Sequence, residues 1–162
     1  MIATYAADEP IEQIIEAAHL LREEADFFFT GNSAKWRSVF ESAIPENVRF
    51  TGFLSTECYW EQLYESDALV DLTTREDCLV CGAYEALAVG RPVVLTDTAV
   101  NRRTFANGAF FARNESRDIA EVVRRAVSEV ERVYRDADAT RQSYTALWGE
   151  MARPVRLVLA GR

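Results

Sequence analysis

Apolar and polar positions along the chain switch repeatedly between a period of two and a period of about 3.6 residues, as strands and helices do in turn. Residues 2–5 (IATY) read as a short first strand. Asp8 and Pro10 then offer an N-cap acid and an early proline, and Ile11, Ile14, Ile15, Ala18 and Leu21 fall on one helical face. The run DFFFT (26–30) is a buried strand ended by Gly31 and Asn32, and 34–42, with Trp36, Val39 and Phe40, is a second helix. After the Pro45-Glu46-Asn47 turn a strand over 48–50 stops at Gly52. A helix over 56–65 with Thr56 as its cap, a strand over 68–72 and a helix over 83–89 follow. Gly90-Arg91-Pro92 breaks that helix before the strand 93–95. The strand 109–112 precedes a long helix over 116–135, striped with Ile119, Val122, Val123, Ala126, Val127, Val130, Val133 and Tyr134. Residues 136–150 read as one more helix, and the closing ARPVRLVLAGR is unassigned.

Strands that alternate with helices over short connections imply a mainly parallel sheet covered on both faces, a three-layer α/β/α sandwich. Ligands in such sheets bind beyond the carboxyl ends of the strands. At 162 residues the chain is the size of one domain, and neither an internal repeat nor a second domain is visible. The start, MIATYAADEP, lacks a basic segment followed by a long apolar core, and no apolar run reaches the ~20 residues of a bilayer span, so a cytoplasmic protein is expected.

The net charge of −8 argues against nucleic acid and anionic membranes as general partners. The charge is uneven: residues 1–77 hold 16 acids against 5 bases, and residues 101–141 hold 9 arginines against 7 acids. A solvated acidic face and a mixed-charge helix account for this. Of the three cysteines, Cys78 and Cys81 form a C-x-x-C without the second Cys or His pair of a zinc site, so reduced structural thiols are expected.

The chemistry concentrates in REDCLVCGAYEALAVGRPVVLTD, residues 75–97. Asp77 follows the strand 68–72, and Glu85 comes eight positions later in a helix expected to start near Gly82. That helix start offers unpaired N–H groups and the positive end of its dipole, a place for an anion, with Gly82 and Ala83 nearest a diphosphate. Glu85, expected in the first turn, can accept from the vicinal hydroxyls of a ribose, and Asp77 from hydroxyls at the ligand's far end. The same acid in a first turn is also favoured by the dipole alone, by ~0.3–1 kcal/mol.

The run from Asp77 to Asp97 resembles the donor-binding segment of retaining GT-B glycosyltransferases of the family-four type (glycosyl transferases group 1): an acid, seven residues, a glutamate, alanine, a small pair, then glycine, x, proline and two valines. NVRFTGFLS is similar to the strand and turn before the family's nucleotide-sugar crevice. The resemblance covers residues 1–150 and implies the Rossmann-like donor half of a GT-B enzyme, with a nucleotide-diphosphate sugar as donor, no metal or other cofactor required, and an acceptor-binding domain or subunit outside this chain. Through that half the enzyme would sit at a membrane surface. By position Glu85 would hold the ribose and Asp77 would contact the donor sugar, with Glu76 beside it able to take that part. Gly52, Phe53 and Leu54 would read the nucleobase.

The chain also departs from the pattern. The first acid is aspartate, Val80 stands where a glycine is usual, and AADEPIEQ occupies the stretch where the family places an arginine and a lysine for the diphosphate. The only lysine, Lys35, is elsewhere, so Arg75, Arg102 or Arg103 would have to serve. The single histidine, His19, is expected on the surface or packed in the first helix, not in catalysis. The competing reading is a non-catalytic Rossmann-like assembly module that has lost donor affinity. A flavodoxin-like or receiver-like regulator has the right size but not the acidic pocket and lysine of a receiver.

Overall fold

The structure, a computed structural model, describes residues 1–34, 36, 44–105, 109–129, 142, 145 and 146. The helices expected over 34–42 and 136–150, and the continuation of the long helix past residue 129, lie wholly or mostly outside these residues. The elements are α1 (Ile11–Leu20), β1 (Phe27–Thr30), β2 (Val48–Gly52), α2 (Thr56–Glu65), β3 (Leu69–Asp71), α3 (Cys81–Val89), β4 (Val93–Thr96), α4 (Ala99–Thr104), β5 (Ala109–Ala112) and α5 (Ser116–Ser128).

Every strand pair is parallel among the described residues, as the strand–helix alternation requires. β1 pairs with β2, placing Phe27 opposite Val48, and β3, β4 and β5 run side by side with Leu69, Val93 and Ala109 in line. Residues 1–3 lie between these two ladders. The Met1 amine donates to Phe28 O at 2.7 Å, Thr30 N to Met1 O at 3.1 Å, and Ile2 N to Val70 O at 3.1 Å. The expected strand over 2–5 is nevertheless absent, and the reason is local. The Glu9 carboxylate accepts from Thr4 N at 3.0 Å and Tyr5 N at 2.8 Å, and Tyr5 adopts φ 59°, so the chain leaves the sheet after Ala3.

Side chains alternate across the strands, so two cores form, one on each face. Ile14, Ile15 and Ala18 of α1 and Ile119, Val122, Val123 and Ala126 of α5 pack against Phe27, Phe29, Val70, Val94 and Phe110. On the other face Leu63 of α2 and Ala83, Ala86 and Leu87 of α3 pack on Leu69, Val93, Leu95 and Phe105. The result is the expected α/β/α sandwich. Val127, counted in the apolar stripe, is instead 37% exposed.

Helix boundaries differ from the sequence reading where side chains have better partners. Ser55, not Thr56, caps α2 by accepting from Cys58 N at 3.3 Å. Asp8 does not cap α1; it takes the Thr73 hydroxyl at 3.0 Å and pairs with Arg75 at 3.1 Å, fastening the α1 entry to the loop after β3. α4, six residues capped by Thr98, is too short for a periodic apolar signal. His19 is exposed near the end of α1, where the sequence placed it. No described helix is long and apolar enough to cross a membrane.

Ile14 is fully buried between α1 and the sheet while Leu20, on the same helix, is 49% exposed. Ile14→Ala is expected to cost about 2–5 kcal/mol of unfolding free energy and Leu20→Ala less than about 0.5, read by chemical denaturation.

Candidate functional site

A cavity of about 490 Å³ opens beyond the carboxyl ends of β1, β2 and β3 and is closed on one side by the start of α3. A larger one of about 860 Å³, lined by Ile15, Leu20 and Trp36 among charged side chains, lies beside α1 away from the strand ends. Chemistry favours the smaller cavity, because parallel sheets present loop backbone and helix starts at that edge.

Five of the sequence-nominated residues line it. Gly52, Phe53 and Leu54 form one lip, with Gly52 at φ 71° turning the chain and the Phe53 ring 83% exposed. Gly82 and Glu85 come from α3. Ala83 is fully buried in the core behind them, and Glu76 and Asp77 are exposed on the loop, outside the cavity lining. Because α3 begins at Cys81, Glu85 is its fifth residue, and the first turn holds no acid. The dipole therefore does not explain Glu85. Its partner does: Tyr59 Oη of α2 donates to Glu85 Oε2 at 2.5 Å. Burial, reinforced by that bond, holds the Tyr59 phenol well above its ordinary pKa, so it stays a donor.

The floor is formed by Asp71, which the sequence reading passed over. Alternation along β3 puts Asp71 on the same face as Leu69, where an apolar residue is the norm. The signal was present, since a carboxylate inside a short apolar strand needs a partner. Asp71 is 7% exposed, and its Oδ2 accepts from Gly82 N at 2.8 Å. Burial raises its pKa to about 7; the Gly82 amide opposes this, and the charges of Glu9 and Glu85 add to it. The buried Met1 amine is lowered to about 5 by desolvation, against the pull of Asp71. Glu9 forms the remaining wall, holding Thr4 Oγ1 at 2.5 Å besides the two amides.

Gly82 is glycine because of this contact. A Cβ there would stand 2.4 Å from Asp71 Oδ2 and 2.7 Å from Ile2 Cδ1. Cys78 and Cys81, both free, also border the cavity. Among the described residues no Lys, Arg or His lines it, and no group of His, Cys, Asp and Glu there is arranged to hold a metal ion. Arg75 is engaged with Asp8, and Arg102 with Asp97 through a bidentate contact.

The family model described as glycosyl transferases group 1 matches residues 2–129. The chain belongs to that family. Among solved GT-B glycosyltransferases, this domain superposes on the catalytic domain of cholesterol-α-glucosyltransferase from Helicobacter pylori with a TM-score of 0.70 at 16% identity, over 91% of this chain and 96% of that one. HepE of Anabaena, in complex with UDP, gives a TM-score of 0.77 at 12% identity, over 99% of this chain and 48% of that one. Sucrose-phosphate synthase of Thermosynechococcus elongatus gives 0.75 at 15% identity, over 99% and 45%. The chain thus spans about half the length of the latter two, and at these identities the likeness is one of fold. No curated protein matches the sequence. The glycosyltransferase domain is thus the Rossmann-like half of a GT-B fold.

Gly82→Ala is expected to cost about 1–3 kcal/mol through loss of the Asp71 contact. In an Asp71→Ala background the same change should cost clearly less, a coupling that a denaturation double-mutant cycle measures.

The raised pKa of Asp71 sets a sign. The folded carboxyl keeps a proton that the unfolded chain releases, so its contribution is full below 3.8 and is lost as pH rises to about 7. The melting temperature of Asp71→Asn minus that of the unsubstituted chain should therefore climb across that window and then level off.

Proposed function

We propose that this glycosyltransferase domain is the donor half of its enzyme: it holds a nucleotide sugar in the strand-end cavity and offers it to an acceptor bound by a second half or subunit. The observation that carries the reading is the Glu85 carboxylate inside the cavity, oriented by Tyr59, across from the exposed Phe53 ring. A carboxylate accepts two hydrogen bonds from vicinal hydroxyls, as a ribose offers, and an exposed aromatic lip provides a face on which a base stacks. HepE, which shares the fold, has been solved with UDP and with UDP-glucose, and this supports a nucleotide in the corresponding crevice here. The transfer is taken to proceed with retention, as the family resemblance implies. The domain's part in it is positioning, since a bound and oriented donor lowers the entropic barrier to transfer.

On this reading the domain alone binds and does not transfer. Asp77 serves the donor sugar only if the loop after β3 turns it towards the cavity, and Glu76 is placed no better. The exposed position of both acids favours a second reading, a module that retains the fold and has lost donor affinity. The two differ in whether any nucleoside or nucleotide stabilises the fold, because a ligand bound only to the folded state raises its melting temperature.

A thermal-shift screen of the chain against uridine, guanosine, adenosine and thymidine, with their diphosphates and diphospho-sugars, is expected to find one base that stabilises it. Glu85→Ala should weaken that ligand about ten- to hundredfold, as loss of charge-assisted hydrogen bonds does. Unchanged affinity would remove Glu85 from the site, and no response to any compound would leave the non-binding module as the function.

A further inference from the structure

Several donors at and beside the cavity wall are already held by the protein's own carboxylates. Gly82 N, at the start of α3, is bonded to Asp71. Thr4 N, Tyr5 N and the Thr4 hydroxyl are bonded to Glu9, and Tyr59 Oη to Glu85. The electrostatics agree, since the Asp71 carboxyl feels the charges of both Glu9 and Glu85. A phosphate entering here meets carboxylate oxygens where it needs N–H or a cation, and among the described lining residues none is cationic. A ribose or a base brings hydroxyls and amides, which a carboxylate welcomes.

We propose that the cavity recognises its ligand through the nucleoside and works against the phosphates, with Glu9 and Asp71 occupying from within the donors that a diphosphate would use. This rests on the reading of the cavity as a nucleoside site and narrows its ligand class: a nucleoside bearing little uncompensated phosphate charge. Positive charge for a diphosphate must then come from outside the described residues that line the cavity. The specificity-determining residues are Glu9 and Asp71, which touch the phosphate side, and not Glu85, which faces the hydroxyls.

The sign of the salt dependence tests this. Ordinary phosphate sites lose affinity as salt rises, because salt screens attraction; a site that repels phosphate gains it. Calorimetric titration of the whole chain with the four nucleosides identifies the base, and its nucleoside and diphosphate are then compared. The nucleoside is expected to bind at least as tightly as the diphosphate. Raising sodium chloride from about 25 mM to about 300 mM should tighten the diphosphate about threefold and leave the nucleoside unchanged. With the titrations run at about pH 8.5, above the pKa of about 7 that burial gives Asp71, Asp71→Asn and Glu9→Gln, which keep an acceptor oxygen and remove the charge, should each tighten the diphosphate about threefold or more, with the nucleoside within about twofold. Glu121→Gln, on the exposed face of α5, should change neither.

A diphosphate that binds more tightly than its nucleoside, with affinity falling as salt rises, overturns the proposal and leaves the nucleoside site intact. Failure of all four nucleosides to bind overturns the nucleoside reading itself, and this proposal with it. Neutral variants that leave the diphosphate-to-nucleoside ratio where it was overturn the roles of Glu9 and Asp71.

Discussion

The hydrogen bond between the Gly82 amide and the buried Asp71 carboxylate fixes the site. It spans 2.8 Å from the start of α3 to the end of β3 and seats the helix on the strand that delivers it. The bond requires glycine at 82 because a side chain there would occupy the space of the carboxylate. It also requires a buried acid, whose charge is costly away from water, and so the carboxyl titrates near neutrality. Everything on the far side of the cavity inherits this arrangement: α3 directs Glu85 inward, and Glu85 meets Tyr59 from α2.

The opposite wall depends on the first residues of the chain. Residues 1–3 link the β1–β2 ladder to β3, and Glu9 then withdraws the amides of Thr4 and Tyr5 from the sheet. Where a continuous strand would have left those amides free for a ligand or a neighbour, a side chain from the start of α1 satisfies them. Asp8, one residue earlier, joins the same region to Thr73 and Arg75. Consecutive acids thus bind backbone and side-chain donors on both sides of the β3 exit, and the acidic first half of the sequence turns out to be partly structural.

Fold and charge point to different properties of this glycosyltransferase domain. The fold is that of a GT-B half, shared with HepE over nearly the whole chain at 12% identity. Backbone topology of this kind survives wide sequence divergence because it depends on apolar alternation and small residues at packed helices, which many sequences satisfy. The charge of the cavity is set by a few side chains, and here these are Glu9, Asp71 and Glu85. A shared fold therefore does not by itself carry a shared phosphate site with it.

The sequence by itself determined five strands, read over residues 26–30, 48–50, 68–72, 93–95 and 109–112 and found within one or two residues of those bounds, with the apolar faces of α1 and α5 and the break at Gly90, because burial period and turn chemistry are local properties of the chain. Its motif spacing brought Glu85 and Gly82 to one candidate site and the family resemblance added the Gly52 turn; the structure places all three around one cavity. Only the tertiary structure decided what those residues touch. Tyr59 and Glu85 are 26 positions apart, and Asp71 and Gly82 are 11 apart; no periodicity links such pairs, since their meeting depends on how α2 and α3 pack on the sheet. The same holds for Asp77, whose spacing from Glu85 is fixed by the sequence while the course of the intervening loop sets its exposure. The missing first strand has the same origin: its apolar pattern is real, and a single glutamate that folds back onto its amides outcompetes the ladder.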